Sequence, residues 1–244
     1  MKKLFFISLA AVALLAMAVS CGKDDPNKGK TKPARETVVL DIAIDGTFDD
    51  WTGLKGLAVA EVSEDEEAAP CLLKMEAIAS TETVYFHFLY QVDEEQTAAS
   101  FVLDLDTDND PSTGVTLAEY WKDSGFEYEL SSSGGFINAE NENYRKMSDI
   151  KLYVANDGFD GKDRWEPGAM SDKVAKGVKS AGKRTADLVE IEMSVPRTLI
   201  DATKQGELRA GCLVSNPNED WAVRGWLPSE DGKGMTEMLE VVLP

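Results

Sequence analysis

Apolar and polar side chains alternate along most of this chain with a period of two, and beyond the first twenty residues no long helical period appears. A chain patterned this way buries one face of each segment by forming strands in a sheet. The runs 71–79 and 84–92, separated by Ser80-Thr81-Glu82-Thr83, read as a central hairpin. Further strands are expected at 37–44, 56–62, 101–106, 125–130, 150–155, 185–195, 206–215, 221–227 and 238–243, with 165–170 and 174–181 as short strands or loop. Turn-forming residues punctuate them at Asp45-Gly46, at Ser131 to Gly135 and at Asn156-Asp157-Gly158. Pro196 sits where a short helix would start before Thr198-Leu199-Ile200. About ten short strands at this spacing predict an all-β fold over 37–244, a single antiparallel β-sandwich whose two inner faces share one apolar layer. Phe48 and Trp51, three apart, are expected to cap the core, a sugar platform being the other use of Trp51. His87, the sole histidine, falls in a strand, where packing or hydrogen bonding is the ordinary role.

The N-terminus is built differently. Lys2 and Lys3 precede an apolar run at 4–19, too short for a comfortable membrane span. It ends Ala18-Val19-Ser20-Cys21-Gly22, which resembles a bacterial lipobox: small residues before a cysteine that is diacylated and becomes the new N-terminus. Residues 1–20 therefore read as a signal peptide and Cys21 as the lipidation site, anchoring the chain to a membrane through lipid alone. Residues 21–36, rich in Lys, Asp, Pro and Gly, read as a flexible tether. Lys23-Asp24-Asp25 resembles the export signal of some Gram-negative surface lipoproteins, so the expected location is the outer membrane, facing outward.

Net charge is −19, and loss of residues 1–20, with two lysines and no acids, takes it to −21. Such a field repels phosphate backbones and excludes nucleic acid as a partner. Neutral polysaccharides or oligosaccharides and cations remain compatible with it. Cys71 and Cys212 both fall in expected strands of an exported chain, either bridged or as two buried thiols.

Four acids crowd the stretch Phe101 to Gly114: Asp104 and Asp106 from one strand face, Asp108 and Asp110 from the turn that follows. Clustered carboxylates repel unless solvated or bound to a hard cation, and oxygen ligands favour calcium. Glu127, on the acidic face of 125–130, is a further candidate ligand. The loop is not an EF-hand, since Asn109 and Val115 occupy the positions of the turn glycine and the bidentate glutamate. A solvated hairpin tip is the plain alternative.

Trp221 and Trp226 lie five apart, with Asn216, Asn218, Glu219, Asp220 and Arg224 around them, supplying both a stacking surface and hydroxyl partners for a sugar. A core role for Trp221 and an edge role for Trp226 is the alternative. Catalysis finds little support: one histidine, no HExxH, no phosphate loop and no zinc-spaced cluster. A glycosidase needs only two carboxylates, but none here carries a spacing signature.

Four motifs in order resemble the family 9 carbohydrate-binding modules and their relatives: Ile44-Asp45-Gly46 with Trp51; Leu103 to Asn109 with Ser112-Thr113-Gly114; Gly125-Phe126-Glu127-Tyr128-Glu129-Leu130; and Glu190 to Pro196. The resemblance implies a β-sandwich, a structural calcium near the Asp loop and non-catalytic glycan binding through aromatic platforms. It also implies domains attached to glycoside hydrolases or displayed as separate surface proteins. The family's sugar-stacking tryptophans do not match residue by residue, so Trp165, Trp221 and Trp226 are candidates by position, with Trp121 and Tyr144 behind them. Two other readings stand beside this one: a protein-interaction subunit of an outer-membrane surface complex, and a haem-binding relative using His87 with Met75 or Met193.

Overall fold

The computed structural model describes residues 37–62, 72–91, 100–133, 150–159, 163–216, 220–230 and 234–244. The signal peptide, Cys21 and the tether lie outside the described residues, as do Cys71 and Tyr144. The strands are β1 (Ala58–Glu61), β2 (Leu72–Ala79), β3 (Thr83–Gln91), β4 (Ser100–Asp106), β5 (Tyr128–Ser133) and β6 (Lys151–Ala155). They continue with β7 (Met170–Val174), β8 (Lys179–Thr185), β9 (Leu188–Pro196), β10 (Gly206–Asn216), β11 (Ala222–Leu227) and β12 (Leu239–Leu243). One turn of 3-10 helix, Asp49–Trp51, carries the two aromatics that follow Asp45-Gly46.

The strands form two antiparallel sheets, as the alternation predicts. One runs β1-β2-β3-β9-β8; the other runs β11-β10-β4-β5-β6-β7, with β12 also on β10. Along one edge of the long β10, Gly206 to Ala210 pair with β12 and Cys212 to Asn216 with β11. The inner faces meet in a layer that includes Met75, Phe86, Phe88, Leu103, Leu105, Leu130, Ile191, Met193 and Val214. Each such side chain, fully buried, contributes about 1.5–3 kcal/mol. Cys212 is buried within the same layer. Among the described residues no helix is long and apolar enough to cross a membrane.

The local departures share one cause: alternation reports which face is buried but not which strand lies alongside. Residues 37–44 alternate inward at Val38, Leu40, Ile42 and Ile44 yet join no sheet. The segment crosses the outer face of the five-stranded sheet, where Ile42 and Trp51 pack on Ile78. Thr81 accepts the N–H of Val38 and Asp50 that of Ala43, and Glu192 accepts the N–H of Asp45 just beyond the segment. The expected strand 185–195 is cut by the Ala186-Asp187 turn, with Ala186 at φ 56°, because the period runs through a two-residue turn undisturbed. Ser131 to Ser133 extend β5 rather than turning, and Pro196 opens a turn rather than a helix. Asn156 to Gly158 do turn, but β6 meets β7 only after a longer excursion.

His87 shows what the outer face does. Its Nδ1 lies 2.7 Å from Glu76 Oε2 and its Nε2 3.5 Å from Glu190 Oε1, under Phe48 and Trp51 with ring centroids 5.1 and 5.2 Å away. Met75 and Met193 point into the core from the opposite face, which removes the haem reading. Beneath Trp51, the buried Glu192 accepts the N–H groups of Asp45 and Gly46, both at 2.6 Å. Burial opposes charge on His87, but Glu190 and Glu76 outweigh it and hold the imidazole above its usual pKa of 6.5. Burial also opposes charge on Glu76, but His87 and Lys74 hold it below 4.5. The raised histidine adds stability below pH 6.5 that is lost as pH rises through its folded value; the lowered glutamate adds stability above 4.5 that is lost on acidification. His87→Gln should therefore cost about 1–3 kcal/mol near pH 6 and less near pH 8, as read by urea unfolding at each pH. Equal costs at both would contradict the ion-pair account.

Candidate functional site

The register of the larger sheet builds the floor of a pocket on its outer face. Leu213, Val102, Ser131 and Lys151 form one row across β10, β4, β5 and β6; Gly211, Asp104, Glu129 and Tyr153 form the next. At the first row and above the second stands a cavity of about 580 Å³, lined among others by Tyr120, Tyr153, Arg164, Trp165, Trp221 and Val223. The rest of this face is closed by an apolar cluster centred on Trp121, which is fully buried. Its ring occupies the space above Gly211, where an added Cβ would come within 2.5 Å, and its Nε1 donates to Pro228 O at 3.0 Å. Trp121 is thus a packing residue, not a sugar platform, and so is Trp51, buried over the other sheet.

Trp165 and Trp221, 54% and 55% exposed, both line the pocket. Trp165 follows a turn in which Asp163 Oδ1 accepts its backbone N–H at 2.8 Å. Trp221 and its predecessor Asp220 hold left-handed backbone, φ 62° and 55°, a conformation costly for bulky side chains. Trp226 does not line the cavity; it packs edge-on against Tyr120 at 5.1 Å and so backs a residue that does. Arg224, exposed on β11, is likewise outside the lining.

Arg164 is the polar centre of the site. Its guanidinium holds both oxygens of Glu129 and lies 5.3 Å from the ring centroids of Tyr153 and Trp165. Burial opposes its charge, but Glu129 more than compensates and raises its pKa. Neither Arg164 nor Tyr153 carries a sequence signal, since only the register brings β6 and the turn after it beside β5. Glu129, on the same acidic face of 125–130 as Glu127, turns to Arg164 rather than to the Asp loop. Beneath it Asp104 is fully buried, with neither carboxylate oxygen hydrogen-bonded. Burial, with Glu129 adding, pushes Asp104 well above the usual carboxylate range.

The acidic loop forms a second cluster. Asp106, Asp108 and Glu127 each offer an oxygen within 4.8 Å of the others; Asp104 and Asp110 stand outside this group. Asp110 is exposed and accepts from Ser112 instead. Burial pushes the Glu127 carboxyl up to about 7, against the pull of Thr107 N–H and Thr113 hydroxyl. The chain folds over Glu127 at Gly114, φ 59°, where any Cβ would strike the Phe126 carbonyl. Arg209 pairs with both Asp106 and Asp123, so it neutralises the cluster only in part. Three convergent carboxylates, two of them (Asp106 and Glu127) pushed toward protonation by burial, could hold a hard oxygen-bound cation.

No protein-family model and no curated protein matches the chain. Its structure is similar to that of a family 9 carbohydrate-binding module from Caldicellulosiruptor kristjanssonii in complex with cellotriose, at a TM-score of 0.32 and 11% identity, over 82% of this chain and 88% of that one. That is the family whose four motifs the sequence resembles.

Proposed function

We propose that this chain is a non-catalytic saccharide-binding module, lipid-anchored through Cys21 at the outer surface of the cell and stabilised by calcium at Asp106, Asp108 and Glu127. The observation that carries the binding reading is the pocket itself, with two half-exposed indoles on its walls and a fixed guanidinium–carboxylate pair on its floor. Sugars present C–H faces to aromatic rings and hydroxyls to charged groups, and this lining supplies both. Glu129 is the one carboxylate lining the cavity among the described residues, and Arg164 takes both its oxygens. A glycosidase needs two such groups free to act, which supports a binding role. The sequence around Cys21 supports the anchor and the location. A bound calcium would supply the positive charge that lets the buried Glu127 stay ionised.

Calorimetric titration of the purified protein against an oligosaccharide panel tests the reading. Trp165→Ala and Trp221→Ala should each weaken binding at least about tenfold, as truncated aromatic anchors do, while Arg224→Ala changes it little. Silence of the folded wild type across the panel, or binding indifferent to both tryptophans, would overturn it. The first outcome would favour a protein-interaction subunit of a surface complex.

A further inference from the structure

We propose that the saccharide this pocket takes is anionic, a sugar unit carrying a carboxylate or a sulfate, with Lys151 as its counter-charge. The proposal rests on the pocket's reading as a saccharide site and adds the charge of the ligand. The protein carries an excess of 19 acidic over basic residues, so an acidic lining would be the default. The pocket departs from that background. Among the described residues, the charged ones that line it are Glu129, Arg164 and Lys151. Glu129 is 2% exposed and already bonded through both oxygens to Arg164, so these two cancel within the floor. What faces the opening is Lys151, exposed at the start of β6 beside Ser131.

Among the described residues Lys151 takes part in none of the ion pairs. Asp172, diagonal to it on β7, is exposed and makes no ion pair with it. A strongly hydrated ammonium on a four-carbon stem, at the rim of a cavity walled by Trp165, Trp221, Tyr153 and Tyr120, suits a ring whose apolar face stacks while one charged substituent points outward. The surrounding negative field disfavours anions at a distance, so discrimination for an anionic sugar has to come from this local charge inside about one screening length.

The test uses pairs of ligands that differ only in charge. Oligomers of galacturonate, glucuronate and mannuronate, each beside its carboxyl-reduced neutral counterpart, are titrated into the full chain at physiological ionic strength, with a sulfated oligosaccharide as a further arm. The anionic member of at least one pair should bind about fivefold tighter than its neutral counterpart. Lys151→Gln should erase that difference, and Lys151→Glu should reverse it. Preference for the sulfated ligand over every uronate would assign the anion as a sulfate ester. Neutral ligands binding as well as or better than their acidic partners, with binding still lost in Trp165→Ala, would refute the charge preference and leave the saccharide reading standing. Absence of binding by every ligand would refute both.

Discussion

Replacing Arg197 by methionine is expected to remove about 3–5 kcal/mol of stability, the loss typical of breaking a buried charged network. For a domain of this size that lowers the melting midpoint by roughly 6–20 °C. The side chain is 1% exposed, and its guanidinium fans out over backbone carbonyls from distant parts of the chain. Nε donates to Ala202 O at 2.6 Å, Nη1 to Ser80 O at 3.0 Å and Pro244 O at 3.2 Å, and Nη2 to Lys204 O at 2.5 Å. These carbonyls belong to the β2–β3 turn, the segment after β9 and the residue following β12, so one fork ties three strand ends at the same pole of the sandwich. Methionine fills comparable volume but leaves the acceptors unmet, and each buried unmet acceptor costs about 1–3 kcal/mol. Lysine should rescue little, because three donors on one nitrogen cannot span the planar fork. Chemical denaturation of the three forms decides the matter; a methionine variant within about 1 kcal/mol of wild type would show that water replaces the guanidinium there.

Calcium should stabilise the fold by about 3 kcal/mol when present at about a hundred times its dissociation constant, a shift of roughly 6–12 °C against chelator. The candidate ligand oxygens converge: Asp106 closes the end of β4, Asp108 sits in the turn, and Glu127 is held by Thr107 and Thr113. With its pKa pushed up to about 7, Glu127 favours the fold below the usual 4.5 and loses that contribution as pH rises through about 7. A cation replaces the proton, so the calcium-dependent shift should grow from about pH 5 to about pH 8. Glu127→Gln should abolish most of the shift and flatten its pH dependence. A shift of the same size in that variant would place the ion elsewhere, and no shift in wild type would leave the loop as a solvated hairpin tip.

The fold was legible because alternation survives folding: Phe86, Phe88, Leu103, Leu105, Ile191 and Met193 all occupy the inner layer that their spacing assigns them. What stayed hidden depends on neighbours. Trp121 and Trp165 look alike in a sequence, yet one closes over the bare backbone of Gly211 and the other stands half in solvent. Asp104 and Asp106 share a strand face two residues apart, but Arg209 meets only the second, while the first is sealed beside Glu129. Arg164 became visible only when the register of β5 on β6 set Glu129 beside Tyr153. Pairing partners, not local pattern, decide which acids converge and which aromatics stand exposed on a pocket wall.

Trp221 stands half exposed on a left-handed backbone, at φ 62°. A residue so placed contributes little to the interior and carries a local strain of order 1 kcal/mol or more. Glycine there would relax the backbone and leave the pocket without one wall. Selection for durability alone would therefore discard this tryptophan. Thermostabilised descendants of this protein, if chosen without a ligand in the screen, should lose recognition at this position first.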